Sequence, residues 1–252
     1  MIPAAGNGRR MNMNINKIWL PLGGRTILSH TLQVFQTTEF IDHLVLAVNQ
    51  TEIEDFERFL AAQYPGGSKP VSKENGPEIS VVAGGEHRQQ SVANALRFLK
   101  SWSGWSDQDQ RLVVIHDAAR ALLTSEVLER SIQAGLKFKA AGVGVPVKDT
   151  IKQVNGEGFV IATPERSTLW AIQTPQVFEF DLITACYEKT SDTLTEFFDD
   201  CGIVEHCGYP VKLIEGSYEN LKITTPEDLI TAEAILRSRT GGGRTDANRT
   251  RI

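Results

Sequence analysis

Hydrophobic positions along the chain alternate between two textures. Short, mostly apolar runs at Leu44-Val45-Leu46-Ala47-Val48, Ile79-Ser80-Val81-Val82-Ala83, Leu112-Val113-Val114-Ile115 and Val211-Lys212-Leu213-Ile214 read as strands, the third being the most strand-like of them. Between them apolar residues recur at helical intervals, at Ile27, Leu28, Leu32, Val34 and Phe35, and again at Val92, Ala95, Leu96 and Leu99. Thr51 with Glu54 forms a capping box that predicts a helix through Ala62; Thr225, Pro226 and Asp228 mark the start of another. Strands alternating with helices predict an α/β sheet.

Some stretches depart from this rhythm. Only Met1 and Ile2 precede the first glycine loop, so the strand expected to feed it is a stub. From Gly144 onward, Val147 to Val154 alternates, Asn155-Gly156 signals a hairpin turn, and Phe159-Val160-Ile161-Ala162 returns. This predicts a β-arm at about 147–167 projecting from the sheet. A two-stranded arm is barely stable alone, so it is expected to pack on a second subunit. The stretch from Pro175 to Cys207 reads as mostly helical, broken near Phe198-Asp199-Asp200, and Asn220 to Ile223 reads as a short edge strand. Pro65 to Pro77 and Ser101 to Gln110 read as loops, and residues 239–252 as a disordered Gly/Arg/Thr tail, leaving one domain over 1–238.

Composition narrows the function. A net charge of −5 and a pI near 5.6 argue against a broad basic face for nucleic acid, so any bound anion must meet a few placed cations. No apolar run is long enough for a membrane span, and no signal-peptide core is evident. Cys186, Cys201 and Cys207 lack metal-site spacing, which suits reduced thiols in a cytoplasmic protein.

The candidate chemistry begins at Pro3-Ala4-Ala5-Gly6-Asn7-Gly8-Arg9-Arg10-Met11, followed by Asn16-Lys17. Small residues and glycines let backbone N–H groups line a concave anion site, with Arg10 and Lys17 adding positive charge. Gly8 is not followed by Lys-Ser/Thr, which excludes the P-loop, and Met11 stands where a dinucleotide fingerprint needs a third small residue. By itself the loop is balanced between a triphosphate cradle and an ordinary glycine turn. Ligands in open α/β sheets collect at strand carboxyl ends, and three such ends here carry glycines, small residues or charges. Asp117 is a metal or sugar ligand, or a satisfied structural carboxylate; Arg120 is a phosphate ligand or a surface arginine. Glu86, beside Gly84 and Gly85, is a reader of the cytosine amine or a helix N-terminal acid. Ser91 is a ribose or phosphate ligand or a packing residue, and His116 reads as packed rather than catalytic.

Several motifs occur together and in order: Pro-Ala-Ala-Gly-x-Gly-x-Arg-Met, Gly-Gly-x-x-Arg-x-x-Ser-Val at 84–92, and His-Asp-Ala-Ala-Arg at 116–120. They continue with Pro-Val-x-Asp-Thr at 146–150, Thr-Pro-Gln at 174–176 and Asn-x-Lys-Ile-Thr at 220–224. From Ile2 to about Leu236 the chain resembles the 2-C-methyl-D-erythritol 4-phosphate cytidylyltransferases of the non-mevalonate isoprenoid pathway. The resemblance implies a Rossmann-like nucleotidyltransferase sheet, mostly parallel, with helices on both faces. It also implies CTP and methylerythritol phosphate as substrates, Mg²⁺ as cofactor, and a homodimer joined through the arm.

Position by position, the resemblance implies that Pro3, Ala4, Ala5, Gly6 and Gly8 hold the triphosphate. Arg10 and Lys17 neutralise the α-phosphate under attack. Gly85, Glu86 and Ser91 hold cytosine and ribose. Asp117 and Ala118 line the CTP site, with Asp117 the candidate metal ligand. Asp117, Arg120, Thr150, Arg166, Thr174 and Lys222 contact the acceptor, and Arg166 and Lys222 act catalytically by positioning it. Three positions depart from the family pattern: Asn16 and Ala121 replace prolines, and Phe198 replaces a threonine hydroxyl near the acceptor. The alternatives are a ribitol 5-phosphate cytidylyltransferase and a nucleotide-binding protein without catalysis.

Overall fold

Residues 1–6, 16–63, 76–105, 110–191 and 197–241 are described by the computed structural model. The chain opens with β1 (Ile2–Pro3), a small hairpin of β2 (Pro21–Leu22) and β3 (Arg25–Thr26), then α1 (Ile27–Gln36), β4 (His43–Val48) and α2 (Ile53–Gln63). Next come β5 (Glu78–Ala83), α3 (Arg88–Lys100), β6 (Leu112–Ile115), α4 (Ser125–Phe138) and β7 (Ala140–Pro146). The remainder is β8 (Gln153–Val154), β9 (Val160–Ala162), β10 (Trp170–Glu179), α5 (Phe180–Lys189), α6 (Asp200–His206), β11 (Lys212–Glu215) and α7 (Pro226–Gly241).

Strands β1, β4 and β5 pair in parallel in the order β1-β4-β5, and a second group runs β11-β7-β10-β6. Met1 joins the two groups: its nitrogen donates to the Val114 carbonyl at 2.6 Å, and its carbonyl accepts the His116 N–H at 3.0 Å. That bonding pattern is parallel, so β10 alone runs against its neighbours β6 and β7. The stub strand therefore lies at the middle of the sheet, with Ile2 wholly buried.

The period-two alternation of the strands separates the faces. In β4, Leu44, Leu46 and Val48 pack with residues of α1, α2 and α4, whereas Val45 and Ala47 pack with residues of α3, α5 and α6. Phe35 and Phe56 on one face and Phe178 and Phe180 on the other are fully buried, each worth about 2 kcal/mol of transfer free energy. A smaller cluster of Leu22, Ile27, Leu122, Ile223 and Ala232 seats α7 against the β2–β3 hairpin.

The structure corrects several expectations. Pro175 to Glu179 is strand, not helix, and belongs to β10 in the interior of the sheet. The register shifts between Ile172 and Gln176, so Pro175 sits at an irregularity and breaks no regular ladder bond. β7, rich in Ala and Gly, and α4 are further elements that the hydrophobic pattern did not reveal. Gly135 explains how closely α4 lies on β10: a Cβ there would come within 2.4 Å of Val177 Cγ1.

Asn49, not Thr51, caps the turn before α2; its Oδ1 accepts the Thr51 N–H at 3.1 Å and the Thr51 hydroxyl at 2.9 Å. Asn220 to Ile223 is not a strand, because Asn220 spends its side chain on Gln173 and Thr174 and Ile223 N–H bonds the Ala119 carbonyl. The hairpin of β8 and β9 exists, but the left-handed residue of its turn is Gly158 rather than Gly156. Trp102 and Trp105 in the expected polar loop pack against the core face of α3 and α5. The Thr225–Asp228 capping box is present, and α7 continues into the expected tail as far as Gly241.

Candidate active site

The ends of β1, β5 and β6 meet at one edge of the sheet. Beyond β1, the Ala4 N–H bonds the Ala47 carbonyl at 2.7 Å, and beyond β5 the Gly84 N–H bonds the Val48 carbonyl at 2.6 Å. Gly84 has to be glycine for these turns to touch. A Cβ there would lie 2.8 Å from Ser91 Oγ, 2.9 Å from Ala5 Cβ and 3.1 Å from the Val48 oxygen. Ser91 Oγ accepts the Gly85 N–H at 3.0 Å and donates to the His87 carbonyl at 3.2 Å, so this hydroxyl shapes the second glycine segment. The Glu86 N–H is held by Gln90 Oε1 at 2.9 Å, and Glu86 itself is exposed.

Gly8 and Arg10 lie outside the described residues. Lys17 opens a short 3-10 helix, Lys17–Trp19, capped by buried Asn16. The Asn16 amide donates to the Ala4 carbonyl at 2.9 Å and to Glu52 at 3.4 Å. Lys17 is thereby set beside the start of the glycine loop.

Asp117, at the end of β6, is the charge centre. Its Oδ1 accepts from Arg88 Nε at 3.1 Å, its Oδ2 lies 2.7 Å from Lys222 Nζ, and Arg120 Nε stands 3.9 Å away. Burial alone would push this carboxyl up, but Arg88, Lys222 and Arg120 together hold it well below the usual carboxylate range. Arg120 is oriented by the Asn220 carbonyl at 2.7 Å and the Ile172 carbonyl at 3.4 Å. Its buried Nε has no hydrogen-bond partner among the described residues, and neither has Asn220 Oδ1.

His116 is spoken for on both nitrogens. Nε2 lies 3.1 Å from the Arg120 carbonyl and therefore carries the proton, leaving Nδ1 to accept from the Thr174 hydroxyl at 3.0 Å. Thr174 Oγ1 in turn accepts the Asp117 N–H at 3.0 Å. Burial lowers His116 to about 4, so it is neutral at physiological pH and serves the scaffold.

Of the residues expected from sequence, Arg120, Thr174 and Lys222 are thus brought onto Asp117, while Ala5, Gly85 and Ser91 gather around Gly84. Thr150 and Arg166 stand apart on the exposed segment around β8 and β9, where Arg166 donates to the Lys148 carbonyl at 3.0 Å. Arg88 and Asp200 were not singled out from sequence, although both belong to motifs that were; the fold brings Arg88 onto Asp117 and Asp200 onto Arg88.

A family model described as 2-C-methyl-D-erythritol 4-phosphate cytidylyltransferase matches residues 1–238. The chain belongs to this family. The cytidylyltransferase of Caldanaerobacter subterraneus subsp. tengcongensis is 40% identical over 237 residues, covering 94% of this chain and 97% of the relative. That of Desulforamulus reducens is 42% identical over 239 residues, 95% of each chain. Among solved structures, 4-diphosphocytidyl-2C-methyl-D-erythritol synthase from Anaerococcus prevotii superposes with a TM-score of 0.77 at 30% identity, covering 94% of each chain.

The cytidylyltransferase family implies a divalent metal, and the donor set can be tested against it. Among the described residues no group of three or more His, Cys, Asp or Glu is gathered as for an all-protein metal cage. Mg²⁺ needs only one or two carboxylates when phosphates supply other ligands, and Asp117, with lone pairs to spare, fits that requirement.

Proposed function

We propose that this protein transfers CMP from CTP to 2-C-methyl-D-erythritol 4-phosphate, releasing pyrophosphate, and that the crevice around Asp117 is where it does so. The observation that carries this reading is the ring of Arg88, Arg120 and Lys222 around one buried carboxylate, beside two glycine segments. A phosphate monoester oxygen of the acceptor attacks the α-phosphorus, a new P–O bond forms, and the bond to the β-phosphate breaks with its electrons leaving on pyrophosphate. The nucleophile is already an anion, so the reaction needs placement and charge neutralisation more than a base. The neutral, doubly bonded His116 is in keeping with that.

In this reading the backbone of Pro3 to Gly8 holds the triphosphate, and Arg10 and Lys17 balance charge at the α-phosphate. Gly85, Glu86 and Ser91 hold the nucleoside. Asp117 would hold Mg²⁺, which when bound neutralises triphosphate charge. Arg120, Thr174 and Lys222 receive the acceptor phosphate. Thr150 and Arg166 reach the acceptor from the hairpin of a second subunit; Phe159, Val160 and Ile161, all exposed on that hairpin, supply its apolar contact. The work takes place in the cytoplasm, in keeping with three unbridged cysteines and with no described helix long and apolar enough to cross a membrane.

The acceptor is the feature most open to test, because Phe198, 97% exposed, stands beside Asp199 where the family pattern has a hydroxyl. Pyrophosphate release from CTP and Mg²⁺ is measured with methylerythritol phosphate and ribitol 5-phosphate offered separately. Release with the first alone is expected. Release with ribitol 5-phosphate alone, or with neither in a sample that binds CTP, overturns the assignment.

A further inference from the structure

Arg88 is pinned from two sides. Its Nε donates to Asp117 at 3.1 Å, while Nη2 donates to Asp200 Oδ2 at 2.7 Å. Asp200 is wholly buried, and its other oxygen accepts the Tyr187 hydroxyl at 2.6 Å. Gln176, on β10, fixes the backbone beneath it: Oε1 accepts the N–H groups of Asp200 and Cys201 at 3.0 and 3.1 Å, and Nε2 reaches Asp199 at 2.8 Å. Both oxygens of the Asp200 carboxylate are thus used, and none of its side chain is exposed.

A buried carboxylate is costly unless its partner is equally well placed. The partner here is the first residue of α3, directly after the Gly84–His87 turn. One guanidinium therefore links the segment that would hold the nucleoside to the carboxylate at the reacting end. A contact to Asp117 alone would leave its planar fork free to turn; the second anchor fixes it.

We propose that Asp200, with Tyr187, is a positioning pair that fixes the Arg88 guanidinium and through it the orientation of the Asp117 carboxylate. This rests on the reading of the Asp117 crevice as the site of cytidylyl transfer. Neither Asp200 nor Tyr187 touches substrate. Their effect passes through Arg88, so it falls on turnover more than on CTP binding.

The test compares wild type with Asp200→Asn, Arg88→Lys, Tyr187→Phe and the double variant Arg88→Lys/Asp200→Asn, each first shown to unfold cooperatively. Asp200→Asn and Arg88→Lys are expected to lower kcat by about tenfold to a hundredfold, the cost of a small misplacement, with KM for CTP within about threefold of wild type. The double variant is expected to be no slower than the worse single one, because residues acting as a unit do not add. Losses that multiply, or a KM for CTP that rises while kcat holds, overturn the proposal. Should Asp200→Asn fail to fold, Tyr187→Phe decides, since it removes only a hydroxyl. A kcat lowered about threefold, as for one lost hydrogen bond, supports the pair, and a wild-type kcat overturns it. A wild-type protein silent with CTP and methylerythritol phosphate removes the premise, and this inference falls with it. An active wild type with indifferent variants overturns the positioning pair alone.

Discussion

His116, buried beside the proposed site, serves the scaffold there with both ring nitrogens engaged. Its ring holds the Arg120 carbonyl on one side and the Thr174 hydroxyl on the other, so the strand end, the arginine and β10 are set by one neutral imidazole. Burial lowers its folded value to about 4 against about 6.5 in an unfolded chain, so the unfolded state binds the extra proton first. Its contribution to stability is therefore full above pH 6.5 and drains away as pH falls toward 4, by roughly 3 kcal/mol. Urea unfolding at pH 7 and pH 4.5 is expected to show that loss, and His116→Gln is expected to flatten the slope; an unchanged slope contradicts the account. At this scale the structure brings together Asp117 and Lys222, two residues that the sequence offers inside dense local motifs. Arg88 and Asp200 also stand in motifs, but their ion pair joins positions 112 residues apart, and a local motif carries no sign of so distant a partner.

Among the elements, those with clean periodicity were legible: α1, β4, β5, α3, β6 and the capping box of α7. β7 was not, because Ala140-Ala141-Gly142-Val143-Gly144 is too small in side chain to look like a strand. Its glycines are small because neighbours need the room: a Cβ on Gly142 would sit 2.9 Å from Cys201 Sγ. β10 was missed because Pro175 interrupts it, and proline argues against an interior strand unless an irregularity accommodates it. The turn after β5 makes the same point for function. Gly84→Ala places a methyl against Ser91, Ala5 and Val48, two of them at or next to backbone that cannot retreat. The expected outcome is a loss of about 1–3 kcal/mol in stability and a raised KM for CTP. Denaturant unfolding and initial rates check both, and a variant equal to wild type in each contradicts the close approach of the two glycine segments.

The whole molecule divides the proposed site between a rigid centre and a remote hairpin. Asp117 and its cations rest on the sheet, whereas Arg166 and Thr150 lie on an exposed stretch whose Phe159 is 68% exposed. An apolar two-stranded hairpin of this size needs a surface to lie on. Sedimentation of the intact protein is expected to show a dimer, and replacing Phe159 and Ile161 by Ser is expected to shift it toward monomer with a fall in kcat. A fully active monomer contradicts the role given to Arg166.

In the proposed reaction Arg120 and Lys222, beside Asp117, act on the reacting phosphates. The direct measurement is a single-turnover rate with CTP and methylerythritol phosphate, alongside CTP affinity, for wild type and Lys222→Ala. Lys222 lies 2.7 Å from Asp117 and its side chain is partly exposed. The account expects the chemical step to slow by about a hundredfold or more while CTP affinity barely changes, as when one preorganised charge is removed from a transition state. A Lys222→Ala variant with a wild-type rate of transfer would contradict it.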